Sequence, residues 1–538
     1  MEENKKKSIL FIIPVLVGGA LAVGIWLGTM FIPQGIPRDP VHENTGKFST
    51  ILEMIEDKYV DSVDHDLLVE SSIEGMIEKL DPHSAYIPAK DLEKVNEQLN
   101  GNFGGVGIRF LIHNDTLVAT HVLPGSPSES AGLLPGDRII EIDGGEITDG
   151  TLTNNDVMDK LKGEAGTDVT VKIYRQGETQ KLDITRGTIP LSSIDAAIML
   201  DNEVGFIKLN SFTYNAHEEF HEAAGELKSR GMKKLIFDLR NNGGGLMFAA
   251  TEIADEFLES GKLIVYTEGR KSPKKEYYST SKGILEDVEV VILINSLSAS
   301  ASEIVAGAIQ DNDRGLIMGR RSFGKGLVQD QNEFTDGSAL RLTISRYYTP
   351  SGRSIQKPYG DGVDYDNDYY DRFESGELLN EDSIKIDKSL KFKTFAGRTV
   401  YGGGGIMPDV FVPNDTAGAS YYLTSLYYKN VFNHYAVRYL DGRRKYLNDF
   451  DAFRTGFHVD NNMFQDFIEY ASTLGVEEDP IDIVTSRSTI KNRIKAEIAR
   501  HVWQDDGYYM VYVENDMDVQ RALDKLRSGQ SLMSMLTE

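Results

Sequence analysis

The chain has 538 residues, a formal net charge of −26 at pH 7 and no cysteine. This length exceeds what one hydrophobic core normally organises, so we expect about three to five domains. The acidic balance argues against nucleic acid as a partner. The absence of cysteine excludes disulfides, thiol catalysis, cysteine-ligated zinc and a lipid-modified N-terminal cysteine.

Residues 1–36 have the pattern of a membrane-targeting segment. Three lysines, Lys5–Lys7, precede the uncharged run Ser8–Pro33, which is longer than the roughly 20 residues that cross a bilayer. The run ends in bulky residues such as Trp26 and Phe31, which favours an uncleaved anchor over a signal peptide. Because the basic cluster should stay in the cytoplasm, we predict a single-pass protein of the inner or plasma membrane. The bulk of the chain is then extracytoplasmic, on the periplasmic side.

Residues 37–100 are predicted to be helical, because apolar residues such as Ile51 and Met54 recur at helical spacing. The region closes with the sequence LDPHSAYIP at Leu80–Pro88. His83 lies there between a proline and a serine, which favours a role in loop packing or capping over a role in catalysis.

Two segments within residues 101–188 resemble a PDZ domain: GGVGIRF (Gly104–Phe110) and AGLLPGDRIIEIDG (Ala131–Gly144). Successive backbone N–H groups in the glycine turn can form a nest for a terminal carboxylate, and the adjoining strand edge can accept an extended peptide. Alternate side chains after the turn would face an apolar pocket. GGVG alone is also typical of an ordinary glycine turn, and the second segment favours PDZ. The expected peptide-binding residues are Gly105, Val106, Gly107, Ile108 and Phe110.

Strands and helices alternate in the region 189–415. Val204–Leu209 and Lys234–Leu239 are predicted strands, and Ala216–Arg230 is a predicted amphipathic helix. The glycine turn RNNGGGL (Arg240–Leu246) then opens a further helix. A turn of this kind can hold phosphate, but no Walker lysine follows it and the spacing does not fit a dinucleotide site.

His217 and His221 are four residues apart on the predicted helix, a spacing that can bind a metal ion. The sequence offers no HEXXH pattern and no evident third ligand. We therefore expect an ordinary helix surface there, and we expect neither a metal site nor any other cofactor.

The segment Asn295–Gln329 holds the candidate catalytic groups. A buried strand ends in a small-residue turn that opens a helix, and such a turn can hold one serine near backbone N–H groups and the positive end of the helix dipole. Lys325 follows between two glycines in a segment that has an extended pattern. Because side chains at i and i+4 of a strand share a face, Lys325 and Gln329 would point the same way.

A serine hydroxyl becomes a good nucleophile only when a neighbouring base removes its proton. Lysine is such a base when neutral, and lowering its pKa from about 10.4 to about 7 costs roughly 4–5 kcal/mol. That shift requires burial away from carboxylates, and Arg320 and Arg321 would help if they lie close. The alternative interpretation is a surface lysine in a glycine turn beside a small-residue helix start.

The sequences SASASEIVAGAIQD and GRRSFGKGLVQ in this segment resemble the active-site region of the C-terminal processing (tail-specific) peptidases. The resemblance implies that Ser300 is the nucleophile, Lys325 the general base and Gln329 the residue that orients the lysine. It implies turn or helix-cap roles for Ser298 and Ser302. Leu297 stands where glycine is common in the family.

The resemblance extends over roughly residues 45–415 and implies the fold and the oxyanion hole. The expected class is α+β and multidomain, with a crotonase/ClpP-like peptidase core, an inserted PDZ domain, an N-terminal membrane anchor and helical flanking regions. Gly243 or Gly244, together with Ala301, would donate N–H groups to the oxyanion. The acidic, tyrosine-rich stretch Asp361–Asp371 lacks EF-hand spacing, so we predict a solvated, mobile insertion there.

Residues 416–538 are predicted to form a separate helical region, which could serve for homo-oligomerisation or as an adaptor surface. Its helical patterns cover Tyr421–Tyr435, Met463–Thr473, Ser488–Trp503 and Val519–Leu526.

The function implied by the resemblance is that of a serine endopeptidase that captures unstructured C-terminal tails of proteins or peptides and cleaves through a Ser–Lys acyl-enzyme. One alternative is a catalytically inert, membrane-anchored PDZ scaffold. Another is a hydrolase with histidine as its base, which is disfavoured because no histidine lies between Ser300 and Asp415.

Overall fold

A computed structural model describes residues 17–24, 26, 40–113, 115–147, 150, 152–360 and 362–530. It divides into two compact units, Met1–Met76 and Ile77–Glu538. In the first unit, residues 17–24 are helical, and two helices follow, α1 (Pro40–Lys58) and α2 (His65–Ile77). Among the residues that the structure describes, no helix combines the length and the apolar character needed to span a membrane. Most of the predicted anchor, residues 8–33, lies outside the described residues.

The second unit starts with β1 (Ala85–Ile87) and α3 (Ala89–Asn100) and continues into the PDZ-like region. Its main sheet has the antiparallel order β3-β4-β5-β7-β8, with β6 paired to β5, while β2 pairs with β9. Among the described strands β3 pairs only with β4, so its outer edge has no strand neighbour. The elements are β2 (Asn102–Gly105), β3 (Ile108–His113), β4 (Thr116–Val122), α4 (Pro127–Ser130), β5 (Arg138–Ile142), β6 (Gly145–Glu146), α5 (Asn154–Leu161), β7 (Asp168–Arg175), β8 (Glu178–Thr185) and β9 (Gly187–Pro190).

A six-stranded sheet forms the centre of the second unit, in the order β10-β11-β12-β15-β16-β21. Only β10 and β11 are antiparallel; the other pairs are parallel. Helices α6, α7 and α8 bury their apolar side chains on one face of this sheet, as parallel strands joined by helical crossovers require. The elements are β10 (Ile194–Met199), β11 (Val204–Leu209), α6 (Ala216–Ser229), β12 (Lys234–Asp238), α7 (Met247–Asp255), β15 (Glu289–Ile294), α8 (Ala301–Asp311), β16 (Leu316–Gly319) and β21 (Val410–Phe411).

A second sheet has the order β1-β18-β13-β14, and β17 also pairs with β18. The elements outside the central sheet are β13 (Leu263–Glu268), β14 (Lys275–Tyr278), β17 (Leu327–Glu333), β18 (Ala339–Tyr348), α9 (Asp368–Glu374), β19 (Lys391–Lys393) and β20 (Thr399–Tyr401).

The C-terminal region is helical, as predicted, but two of its helices differ from the sequence pattern. The predicted helix Tyr421–Tyr435 is two helices, because Asn430 between them has φ 51°. The long helix is kinked at Trp503 and Gln504, where the backbone angles are not helical. The helices are α10 (Tyr421–Tyr428), α11 (Val431–Leu440), α12 (Phe450–Gly456), α13 (Asn461–Thr473), α14 (Pro480–Tyr512) and α15 (Met517–Arg527).

The last helix, α15, is not part of a separate appendix. Its apolar residues Val519 and Leu523 pack against the face of the central sheet opposite to α6, α7 and α8. Asp518 on α15 is buried and pairs with Arg320 at 2.6 Å and with Arg240 at 2.8 Å. The sheet is therefore covered on both faces, and the boundary that we expected at residue 416 does not separate independent packing units.

The PDZ-like region contacts the C-terminal helices through its edge strand β3. Arg109 pairs with Asp505 at 2.6 Å, and Nδ1 of His113 lies 3.2 Å from Nδ1 of His434. Burial lowers the pKa of His434 to about 4. Burial, Arg138 and Arg438 also lower the pKa of His113, against an opposing effect of Asp441. The contact therefore favours neutral imidazoles on both sides.

We expect this contact to open in acid. A histidine has an ordinary pKa of about 6.5, and that of docked His434 is about 4, so the undocked state binds more protons as the pH falls through this window. Because the chain has no cysteine, dyes on E178C and E469C would report the distance between the two regions by energy transfer. Energy transfer should decrease as the pH is lowered. The decrease should be smaller in the double variant His113→Asn/His434→Asn. His458→Asn is the control. An unchanged pH response in the double variant would contradict the assignment.

Candidate active site

Ser300 lies at the carboxyl end of the central strand β15, in the turn that opens α8. Its backbone has φ 56° and ψ −111°, a region that residues other than glycine rarely adopt. A strained strand-to-helix turn of this kind lifts a nucleophilic serine above the sheet edge. Ser300 is partly exposed, whereas every residue of α8 behind it is buried.

The neighbouring serines stabilise the turn. Ser298 and Ser302 are fully buried. The Ser298 hydroxyl donates to the Leu239 carbonyl at 2.8 Å, and the Ser302 hydroxyl donates to the Asn242 carbonyl at 2.9 Å. Their side chains have the structural roles that the sequence predicts, which leaves Ser300 as the accessible serine of the run.

Glu303 connects the serine turn to the lysine loop. Its Oε2 accepts hydrogen bonds from the N–H of Ser300 at 2.8 Å and from the N–H of Lys325 at 2.9 Å, so these two backbone nitrogens lie less than about 6 Å apart. Its Oε1 accepts from the Ser322 hydroxyl at 2.5 Å and from the Gly324 N–H at 2.7 Å. Burial raises the pKa of the Glu303 carboxyl to about 7, although these four donors favour its ionised form.

Tyr347 on β18 makes a second connection between the two segments. Its hydroxyl donates to the Ser300 carbonyl at 3.2 Å, and its backbone N–H donates to the Gly326 carbonyl at 3.0 Å. The side chain is buried to 1% exposure. Backbone groups on both sides of Lys325 are thus bound to the structure that holds Ser300.

The environment of Lys325 lowers its pKa. Burial is the main cause, and the positive charge of Arg341 acts in the same direction, while Glu303 and Asp81 oppose it. The expectation of a site free of carboxylates is therefore wrong. Arg320 and Arg321 are also not the cations that act on this lysine, because they pair with Asp518 and Glu377.

Gln329 lies on β17, but the simple strand argument for its orientation does not apply. The strand begins at Leu327, after Lys325, and its register with β18 shifts between Val328 and Gln329. The Gln329 amide donates to the Thr343 hydroxyl at 3.4 Å, a long hydrogen bond.

The glycine turn lies directly against Ser300. Gly244 has φ 102°, and a Cβ built on it would be 2.8 Å from the Ser300 Cβ and 2.9 Å from the Ala301 nitrogen, so only glycine fits. The Gly244 N–H donates to Asn242 Oδ1 at 2.9 Å, which engages it within the turn. A Cβ on Gly243 would meet no atom within 4 Å, so Gly243 faces open space.

The LDPHSAYIP loop contributes to the lysine site. Asp81 Oδ1 accepts from the Thr343 hydroxyl at 3.0 Å. His83 Nε2 is 2.7 Å from the hydroxyl of Tyr365, and burial, together with the charge of Lys325, lowers the His83 pKa to about 4. His83 is therefore neutral near pH 7.

Most described residues of the stretch Asp361–Asp371 are exposed, as predicted for a solvated insertion, but Tyr365 is anchored, because its ring packs edge-on against Phe323. The sequence reasoning gave no role to Glu303, Arg341 or Tyr365. Of the three, only Glu303 carried a signal, as the glutamate that ends the SASASE run.

The predicted peptide-binding residues surround the start of β3. Gly107 has φ 80°, and a Cβ on it would lie 2.4 Å from the Ser126 Cβ, so the turn requires glycine. Gly105 ends β2, and Val106 is buried in the PDZ core. Ile108 and Phe110, on β3, are partly buried against the same core.

The two histidines on α6 differ from the expected helix surface. His217 and His221 both hydrogen-bond to Glu256, which follows α7 in the chain. This carboxylate could not be identified as a neighbour from sequence spacing, because it lies 35 residues beyond His221.

Glu303→Gln should destabilise the protein. Its carboxylate receives four donors, so an amide must turn its NH₂ group toward two of them, and each buried donor left unsatisfied costs about 1–3 kcal/mol. Urea unfolding should show that the free energy of unfolding falls by about 1–3 kcal/mol for each donor left unsatisfied. The exposed control Glu374→Gln should unfold like the wild type. Equal stability of the two variants would show that the Glu303 contacts contribute little.

Known families match several parts of the chain. Peptidase family S41 matches residues 203–369, and a PDZ domain matches residues 104–185. The N-terminal domain of the activating protease CtpB matches residues 34–91, and a family of unknown function matches residues 422–505.

Individual relatives agree with these matches. A carboxy-terminal-processing protease of Bartonella bacilliformis is 36% identical over 358 residues, covering 65% of this chain and 80% of that protein. A probable CtpA-like serine protease of Staphylococcus aureus is 33% identical over 359 residues, covering 65% and 71%. Among solved structures, the photosystem II D1 C-terminal processing protease is 26% identical, with 69% of this chain and 89% of that chain covered and a TM-score of 0.34. With its strained serine turn and its PDZ region, the chain belongs to the carboxy-terminal-processing serine proteases of peptidase family S41.

Proposed function

We propose that the chain is an endopeptidase in which Ser300 is the nucleophile and Lys325 the general base. The observation that carries this proposal is the shared Glu303 oxygen, which accepts from the backbone N–H of both residues. Burial lowers the pKa of Lys325, and only a neutral amine can accept the serine proton. A Ser–Lys pair requires a base of lowered pKa within reach of the hydroxyl, and the shared Glu303 oxygen brings the two backbone segments that carry these groups together.

The reaction is acyl transfer. Lys325 takes the proton of the Ser300 hydroxyl, and the oxygen attacks the peptide carbonyl. The N–H groups of Gly243 and Ala301 hold the resulting oxyanion; we favour Gly243 over Gly244 because the Gly244 N–H already donates to Asn242. Lys325 then protonates the leaving amine, and the acyl-enzyme is hydrolysed by a water that Lys325 deprotonates. Gln329 would orient the lysine once its long bond to Thr343 is exchanged.

The PDZ domain supplies the substrate. Its glycine turn at Gly105–Gly107 would hold the terminal carboxylate of an unstructured tail, and the tail would add a strand to the outer edge of β3. Ile108 and Phe110 would contact alternate side chains of the tail. Among the described strands β3 has a strand partner on one side only, and a tail that pairs with its other side would lie beside the contacts of Arg109 and His113 with the C-terminal helices.

The N-terminal segment would anchor the enzyme in the membrane. This part of the proposal rests on the sequence alone, on the basic cluster Lys5–Lys7 and the uncharged run Ser8–Pro33. The proteolytic part would then act on the extracytoplasmic side. Homo-oligomerisation stays a prediction.

Ser300→Ala and Lys325→Ala should each abolish cleavage while the protein stays folded, because each removes a group that takes part in bond making. The measurement is gel-based cleavage of an unfolded protein with an apolar C-terminal tail, with circular dichroism as the check on folding. Lys271→Ala, at an exposed lysine, is the control and should cleave normally. Cleavage by the Lys325→Ala variant would refute the Ser–Lys pair. If both variants still cleave, a residue other than Ser300 is the nucleophile.

Arg341→Gln should move the acid limb of the rate profile to higher pH. The charge of Arg341 lowers the pKa of Lys325, so its removal raises that pKa, and a higher pH is then needed to make the lysine neutral. The measurement is kcat/KM against pH for the wild type, for Arg341→Gln and for the exposed control Arg270→Gln. An unshifted limb, or a shift toward lower pH, would show that Lys325 is not the group that titrates.

A further inference from the structure

Four potential metal ligands lie on two adjacent helices, α6 and α7. His217 and His221 are one turn apart on α6, and Glu252 and Glu256 are one turn apart at α7. His217 Nε2 is 2.8 Å and His221 Nδ1 is 2.7 Å from Oε1 of Glu256. One ligand atom from each of these three residues lies within 4.8 Å of the others. Glu252 is at the rim, with an oxygen 3.8 Å from His217 Nδ1.

We propose that His217, His221 and Glu256 bind a divalent transition-metal ion of the zinc type. Two imidazoles and one carboxylate are a common ligand set for Zn²⁺, with bonds of about 2.0–2.2 Å. In a tetrahedron with such bonds the ligand atoms are about 3.3 Å apart, so the side chains need only small rotations to admit the ion. A water would complete the coordination, and Glu252 lies beside Nδ1 of His217, where it could accept the proton of that nitrogen and orient the ring. Hard cations such as Mg²⁺ and Ca²⁺ prefer oxygen-only sets.

The Glu256 carboxylate is built into the structure in the way that metal ligands are. Its side chain is 4% exposed, while the two histidine side chains are 33% and 46% exposed. Its second oxygen, Oε2, accepts from the Ile284 N–H at 2.9 Å, which fixes the carboxylate plane and leaves Oε1 directed at the histidines. Partners of this kind orient the first ligands of a metal ion. The histidines can be reached from solvent, so an ion has an entry path.

The position of the site gives the ion a structural consequence. Phe212 and Gly245 form a β-bridge, and the Phe212 N–H donates to the Gly244 carbonyl at 3.0 Å. Helix α6 begins shortly after Phe212 and α7 begins shortly after Gly245. The chain from Phe212 enters α6 and the chain from Gly245 enters α7, so an ion bound between the two helices would link these two segments a second time, in addition to the β-bridge. Metal binding therefore stabilises the folded arrangement of this turn.

To test this proposal, the full chain is first freed of metal with a chelator. It is then titrated with zinc chloride alone. We expect one Zn²⁺ per chain by calorimetry, and a rise in the melting temperature because the ion binds the folded state. With Co²⁺ in place of Zn²⁺ the site should give visible absorption bands. His217→Ala and His221→Ala should each weaken binding at least tenfold and remove the melting shift. Both histidines are partly exposed, so these variants should fold. Glu256→Gln should weaken binding as well.

The control is His458→Ala, at an exposed histidine outside the cluster, which should bind Zn²⁺ like the wild type. Absence of saturable Zn²⁺ binding to the wild type would overturn the proposal. So would equal binding by the double variant His217→Ala/His221→Ala, since the zinc would then be held elsewhere on the surface. Both readouts are independent of proteolysis, so an inactive protein that binds zinc would leave this proposal standing while it contradicts the proposed function.

Discussion

The relative position of the Ser300 turn and the Lys325 loop depends on one buried carboxylate. Glu303 is completely buried, and its two oxygens accept four hydrogen bonds, from the serine turn and from the loop that carries the lysine. A charge in such a place is costly unless it is well bonded. Here the donors are mainly backbone N–H groups, so the carboxylate fixes the course of both chain segments. The four hydrogen bonds offset part of the cost of burying it, and they fix the backbone at Ser300 and Lys325.

The same carboxylate also limits how far the pKa of Lys325 can fall. Glu303 raises the pKa of Lys325, while burial and Arg341 lower it. The lysine is thus placed between a negative group that organises its backbone and a positive group that favours its neutral form. Under the proposed Ser–Lys mechanism, a nearby carboxylate is tolerated because burial lowers the pKa of Lys325 more than Glu303 raises it.

The central sheet supplies the rigid support for this site. Helices α6, α7 and α8 cover one face, and α15 covers the other. Buried ion pairs of Arg240 and Arg320 with Asp518 join α15 to the carboxyl ends of β12 and β16. These are the ends of the sheet where the glycine turn and the serine turn also lie, as is general for sites in parallel sheets. The C-terminal region is therefore part of the framework of the site.

Local signals in the sequence predicted the elements well and the long-range contacts poorly. The strand Val204–Leu209 has the predicted bounds, because a run of apolar residues between turns is a local pattern. The break at Asn430 was missed, although asparagine adopts the left-handed conformation more readily than most residues. Arg320 and Arg321 were expected to lower the pKa of Lys325 only if they lay close to it, and this condition is not met. Both arginines are close to Lys325 in sequence, but their charges are paired with Asp518 and Glu377, which are distant in the chain.

The central claim is that Lys325 activates Ser300, and covalent labelling tests it most directly. A fluorophosphonate reacts with an activated serine hydroxyl, and peptide mass spectrometry identifies the modified residue. The account predicts modification at Ser300, at a rate that rises with pH in the wild type and falls by orders of magnitude in Lys325→Ala. Modification of another serine, or an equal labelling rate of Ser300 with and without the lysine amine, would contradict it.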